Sequence, residues 1–261
     1  MIQIRGLVKR FGERAVLDGI NLMIPEGKIT VIMGGSGCGK STLLKNLIGL
    51  LRPEEGEIWI EGKNVALLSE KEFDDVRKKF GMLFQGAALF NSLTVGENVA
   101  LPLREHTDLS PEIIQIIVKI KLELVGLTGF EAFHPFQISG GMKKRVALAR
   151  AIALDPKIVF YDEPGAGLDP ITAGMIDQLI LDLSRKLQIT SVVVTHEMKS
   201  AFRIADQMVM LYRGRVIAQG TPQEIKESTN SYVRQFIHGE PEGAIPFRQS
   251  SEAYLKGLLE P

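Results

Sequence analysis

Cysteine is nearly absent from this chain: Cys38 stands alone among 261 residues. One thiol excludes an internal disulfide and any metal site built on several cysteines, and it points to a reducing compartment. Net charge is missing as well, since 31 Lys and Arg meet 31 Asp and Glu. That balance excludes a general basic surface for nucleic acid. It also leaves little solubility reserve, so part of the surface is expected to lie against a partner. No apolar run reaches the roughly eighteen residues of a membrane-crossing helix. The start, Met1-Ile-Gln-Ile-Arg5, lacks the basic segment and apolar stretch of a signal peptide. The expectation is a soluble, cytoplasmic chain. What is present is ordinary globular composition, 45 % hydrophobic and 24 % charged, which excludes wholesale disorder.

Apolar strand-like runs alternate with helical stretches, the pattern of an α/β fold with a largely parallel sheet. Residues 29–33, 158–161 and 191–195 are short, β-rich and almost free of charge, as strands covered on both faces are. Near the N-terminus, Ile2, Ile4 and the hairpin-like Glu57-Ile-Trp-Ile-Glu-Gly62 alternate instead, which predicts an antiparallel sheet. From about 94 to 150 the pattern is helical and reads as an insert in the α/β core. Within it Ser110 and Pro111 form a helix start. Glycines and prolines in Gly239-Glu-Pro-Glu-Gly-Ala-Ile-Pro246 break regular structure, so residues 1–237 are expected to form one domain and 238–261 an extension.

Gly34-Gly-Ser-Gly-Cys-Gly-Lys-Ser41 fits G-x-x-x-x-G-K-[ST], after a buried strand and before a helical run over 41–51. Phosphates need several backbone N–H groups converging on one anion, and glycine lets the chain curl that tightly. The following helix aims its positive end at the same point. Lys40 can neutralise outer phosphates and the Ser41 hydroxyl can ligand Mg²⁺. Ile158-Val-Phe-Tyr-Asp-Glu163 puts two acids at the carboxyl end of a core strand, where open α/β sheets place ligands. Asp162 suits the metal shell and Glu163 the polarisation of an attacking water. His196 follows a third buried strand and Gln85 a fourth, strand-like run at 81–84, which places both on the same edge.

Ile138-Ser-Gly-Gly-Met142 then opens the helical stretch Lys143-Lys-Arg-Val-Ala-Leu-Ala-Arg-Ala-Ile-Ala153. This is a second anion-binding helix start, and one nucleotide has no need of two so far apart in one chain. Its economical use is the nucleotide of another subunit. The bland alternative is an ordinary helix start with a basic, solvated first turn.

With these motifs in this order, residues 1 to about 237 resemble the nucleotide-binding subunit of ATP-binding-cassette (ABC) transporters. The resemblance implies a P-loop NTPase (RecA-like) core with an N-terminal antiparallel β subdomain and an inserted α-helical subdomain. It implies two copies stacked head to tail over two ATP and Mg²⁺. In that arrangement Phe11 would stack on adenine, and Gly34, Gly35, Ser36, Gly37, Cys38, Gly39, Lys40, Ser41 and Thr42 would hold phosphates. Ser41, Gln85 and Asp162 would serve the metal, with Gln85 as the switch glutamine of the catalytic set. Ser139, Gly140 and Gly141 would reach the partner's ATP, and Asp169 would support the dimer contact. Glu163 would activate water and His196 would clasp the γ-phosphate. The chain departs from the usual pattern at Ile138 and Met142, which flank the Ser-Gly-Gly centre, at Ala166-Gly167 before Leu168-Asp169, and at Phe11 in place of tyrosine. Met142 cannot make a glutamine's polar contacts.

Those departures, with Gln85-Gly-Ala-Ala-Leu-Phe90 and Leu101-Pro-Leu-Arg-Glu-His106, look like the Mla (maintenance of lipid asymmetry) group of Gram-negative bacteria. That group implies phospholipid trafficking between inner and outer membranes, from the cytoplasmic face of the inner membrane. Its implied partners are an integral-membrane permease, a small STAS-domain protein and an MCE-domain lipid-binding protein. Residues 86–92 carry no charge and are expected to form the groove for a permease helix, with Leu89 and Phe90 as anchors. Tyr254, Leu255, Leu258 and Leu259 would form an amphipathic clasp on the opposite protomer. The competing readings are another MCE-type or small-molecule importer, a soluble ABC ATPase acting on nucleic acid or ribosomes, and a P-loop kinase.

Overall fold

A computed structural model describes residues 1–245. The expected clasp over 250–259 lies outside the described residues. The chain opens with β1 (Ile2–Phe11) and β2 (Arg14–Ile24), then β3 (Ile29–Met33), α1 (Lys40–Leu47), β4 (Glu55–Ile60) and β5 (Lys63–Asn64). A helix with a Ser69–Glu72 capping box, α2 (Glu70–Arg77), precedes β6 (Phe80–Leu83). Three helices follow, α3 (Val95–His106), α4 (Pro111–Leu124) and α5 (Gly140–Ala151), with no strand among them. The remainder alternates: β7 (Ile158–Asp162), α6 (Pro170–Lys186), β8 (Thr190–Val194), α7 (Met198–Ile204), β9 (Gln207–Tyr212), β10 (Arg215–Gly220), α8 (Pro222–Lys226) and α9 (Ser231–His238).

Two sheets result. β2-β1-β4-β5 is antiparallel throughout, so the expected hairpin at 57–62 turns at Glu61-Gly62 and also lies against β1. The second sheet runs β10-β9-β3-β8-β7-β6, parallel except for the edge strand β10. Its central strands divide their side chains by the two-residue period. Val31, Met33, Tyr161 and Val193 face a core shared with the inserted helices. Ile32, Phe160, Val192 and Val194 face a second core under α1 and the antiparallel sheet. Both faces are thus covered, which is why these strands read as unbroken apolar runs. Gly81 lets β6 lie tight on α5: a Cβ there would be 2.3 Å from the Ala151 carbonyl oxygen.

Register sets the site. Leu83 pairs with Tyr161, Asp162 with Val194, and Met33 with Met210. The carboxyl ends of β3, β6, β7 and β8 therefore open on one edge, and the residues just beyond them meet there. β8 begins and ends one residue earlier than the expected 191–195, so His196 lies two residues past it. α1 stops at Leu47 because Gly49, at φ +72, turns the chain away.

Candidate nucleotide site

The loop after β3 curls because its glycines take conformations other residues resist. Gly34 has φ +150, and a Cβ on it would lie 2.3 Å from the Leu211 carbonyl oxygen. Gly39, at φ +108, starts α1, whose first turn holds no acid to quench its positive end. The Lys40 ammonium, almost buried, donates to the carbonyls of Gly34 at 2.7 Å and Gly35 at 3.0 Å, which centres it in the loop. Ser36 and Gly37 are exposed, Ser41 likewise, and Thr42 is half-buried. Cys38 is buried, and burial pushes its thiol up against the pull of Lys40, which disfavours the thiolate. A cleft of about 490 Å³ opens over Gly35, Ser36, Gly37 and Cys38, walled by Arg14, Val16, Tyr212 and Arg213. Phe11 is not part of that wall. It stands 51 % exposed at the end of β1, in the hairpin that leads to Arg14.

Across the strand ends, Asp162 is half-buried and its Oδ1 has no hydrogen-bond partner. Burial, reinforced by the charge of Glu163, raises its pKa, and Lys45, Lys40 and Lys144 oppose that rise. Glu163 is 9 % exposed at φ +49, a conformation that is strained for any residue with a side chain. Its N–H donates to the Val194 carbonyl at 2.9 Å, and its Oε1 lies 2.9 Å from His196 Nδ1. His196 therefore meets the acid directly, a contact that its position at a strand tip did not reveal. Gln85 is exposed two residues past β6. Among the described residues no three of His, Cys, Asp and Glu cluster as a metal site. The donors expected from the sequence are a hydroxyl (Ser41), an amide (Gln85) and a carboxylate (Asp162) whose Oδ1 is unpartnered, types that fit a hard ion sharing its shell with phosphates.

Ser139, Gly140 and Gly141 sit elsewhere. Ser139 caps α5 by accepting from the Met142 N–H at 3.2 Å, and Ser139 and Gly140 are exposed. Gly141 is buried against α6, where a Cβ would lie 2.4 Å from Thr172 Cγ2. Asp169 caps α6, its Oδ1 accepting from Ile171 and Thr172 at 3.0 Å each. These hydrogen bonds hold its carboxyl below the usual carboxylate range, the Thr172 hydroxyl foremost. Ile171 and Met175 beside it are 78 % and 55 % exposed, an apolar surface at the same corner. None of these residues lines the cleft of its own chain.

A family model described as "ABC transporter" matches residues 17–166. The chain belongs to that family. As an ABC ATP-binding subunit it hydrolyses ATP, and its two sheets and helical insert are those of the cassette. The intermembrane phospholipid transport system ATP-binding protein MlaF of Haemophilus influenzae is 45 % identical over 260 residues, 100 % of this chain and 98 % of its own length. The probable ribonucleotide transport ATP-binding protein mkl of Mycobacterium leprae is 43 % identical over 251 residues, 96 % of this chain and 72 % of its own. Among solved structures, a dimeric post-hydrolysis state of the ATP-binding cassette MJ0796 bound to ADP and Pi superposes with a TM-score of 0.78. It is 35 % identical, over 85 % of this chain and 99 % of that one.

Several residues at the site escaped sequence reasoning. Lys144, within the basic run after Met142, is buried on α5, and a basic run at a helix start gives no local sign of it. Arg150 donates to the carbonyls of Ala87 and Ala88. Asn98, fully buried, donates to the carbonyls of Phe90, Leu93 and Thr94 and pins the loop after Gln85. Nothing in the local pattern marks it.

Proposed function

We propose that this ATP-hydrolysing subunit powers phospholipid movement between the inner and outer membranes from the cytoplasmic face of a bacterial inner membrane. The observation that carries the substrate is the full-length likeness to the Haemophilus protein. A mycobacterial relative named for ribonucleotide transport is nearly as similar, but this chain accounts for only 72 % of it. Two copies would close head to tail over two ATP and Mg²⁺, with Ser139, Gly140 and Gly141 on the partner's nucleotide. Their exposure away from their own cleft supports that arrangement. Ser41, Gln85 and Asp162 would hold Mg²⁺, which supplies charge neutralisation at the phosphates. Lys40 and the loop amides grip the phosphates, Glu163 takes the proton of the attacking water, and His196 holds the acid and faces the γ-phosphate. His238 ends α9, and Glu240 and Ile245 bond to Gln235 of their own chain, so only the extension beyond them would dock on the opposite protomer. Unchanged dimerisation after removal of 240–261 would refute that docking.

No helix of the described residues is long and apolar enough to cross a membrane, and in this reading an integral-membrane permease would carry the lipid path. A groove of about 870 Å³ between α2, β6 and α3 supports one. Met82, Phe84, Phe90 and Leu101 give it an apolar wall, with Asp74 and Lys78 on its rim. Leu89, the other expected anchor, packs on the core and does not line the groove. A cytoplasmic helix of the permease suits this shape, while the STAS-domain and MCE-domain proteins would complete the complex. Purification from detergent-solubilised membranes should recover a permease and bound phospholipid, and Phe90→Asp should abolish that recovery while ATP binding persists. Recovery of a small-molecule importer, or an unaffected complex in the variant, would overturn the assignment or the groove respectively.

A further inference from the structure

One charged side chain near the site has no role so far. Lys144 is only 5 % exposed, one turn into the helix that begins at Ser139. An ammonium is rarely buried without reason, because it gives up strong hydration. Burial pushes it below the usual lysine range, and Asp162 and Glu163 pull it back. Its Nζ donates to the carbonyl of Gln85 and lies 3.4 Å from the carbonyl of Glu163. Six residues on, Arg150 donates to the carbonyls of Ala87 at 2.8 Å and Ala88 at 2.7 Å. Ala87, Ala88 and Glu163 all have left-handed backbones, at φ +62, +49 and +49. Such conformations persist only where neighbours hold them. Here the neighbours are two cations of α5.

We propose that Lys144 is a positioning residue for hydrolysis, joining the helix behind Ser139-Gly-Gly to the backbones that carry Gln85 and Glu163. It rests on the roles proposed above for those two residues and acts only through them. When the helix start engages the partner's nucleotide, a shift of α5 reaches the glutamine and the acid of its own subunit through this ammonium, while Arg150 holds the loop that follows the glutamine. The two nucleotide sites of a dimer are thereby linked within each chain.

The test uses the full chain with its ATPase activity intact. Lys144→Met keeps the length and removes every donor. Its kcat should fall at least tenfold while KM for ATP stays within twofold, since Lys40 and the phosphate loop are untouched. Lys144→Arg restores charge and donors and should recover a third or more of kcat. A merely space-filling role predicts near-normal kcat in the methionine variant, or equal losses in both, and either result overturns the proposal. If Lys144→Met does not fold, Lys144→Gln, which can donate to one carbonyl, should give an intermediate kcat at unchanged KM; kcat within twofold of the parent refutes the role. Glu163→Gln run in parallel separates the premises. Normal turnover there removes the base and this proposal together, whereas lost turnover there with an unaffected Lys144→Met refutes only the positioning.

Discussion

Replacing Glu163 by glutamine changes the proposed base and little else. The side chain is 9 % exposed, so shape must be kept, and glutamine keeps it. The φ of +49 costs either residue the same. Glu163 Oε1 lies 2.9 Å from His196 Nδ1, and Oε2 accepts the His196 backbone N–H at 3.4 Å. An amide retains one acceptor, so about one hydrogen bond, roughly 0.5–1.5 kcal/mol, is lost. Burial is the main reason the Asp162 pKa is raised, but relief of the added repulsion from Glu163 offsets part of that loss. The fold should survive. A positioned base contributes about 10²–10⁴ in rate, equivalent to about 2.7–5.4 kcal/mol of barrier. Phosphate release at saturating ATP should fall by that factor, while ATP affinity stays within severalfold. ATP should then hold the variant as a closed dimer, visible by size exclusion with light scattering. Turnover within fivefold of the parent, in a folded variant, would refute the assignment. Lost affinity with normal turnover at saturation would move Glu163 from chemistry to binding.

Gly34→Ala should cost on the order of 3 kcal/mol in urea unfolding, since it adds backbone strain to an overpacked contact with the Leu211 carbonyl, and ATP affinity should fall with it. An unchanged unfolding midpoint would show that the loop can relax. Away from the site, Lys79 foremost, with Lys157, holds the Glu61 carboxyl down at about 2. Because the unfolded chain binds its proton more tightly, this pairing stabilises the fold above about pH 4.5 and is lost as pH falls toward 2. Glu61→Gln should therefore unfold at lower urea than the parent at pH 7, with the gap closing between pH 4.5 and 2 and shrinking in high salt. A gap that is constant with pH would place the effect in packing.

The site was legible where it depends on strand ends. A strand covered on both faces reads as an apolar run, and the polar residues that end it, Gly34, Asp162, Glu163 and His196, announce the edge at which they emerge. α2 was not read from the sequence: Ser69 and Glu72 are a start signal, but the helix buries only Phe73 and Val76, too short a stripe to read as periodic. What stayed hidden depends on distant pairing. Lys144 looks like a solvated charge until the carbonyl of Gln85, 59 residues away, lies against it. The contact of His196 with Glu163 spans 33 residues, and no local pattern encodes it. Phe84 in place of Leu89 in the groove follows from which side of one loop the core takes, decided by Asn98 on the next helix. The neutral overall charge then has a physical account. One chain presents an exposed Ser139-Gly140 helix start, an apolar corner at Ile171 and Met175, and an apolar groove. Each is a surface that the described residues leave uncovered, and a subunit that binds and releases neighbours would be better served by neutral, apolar contacts than by a strong field of one sign.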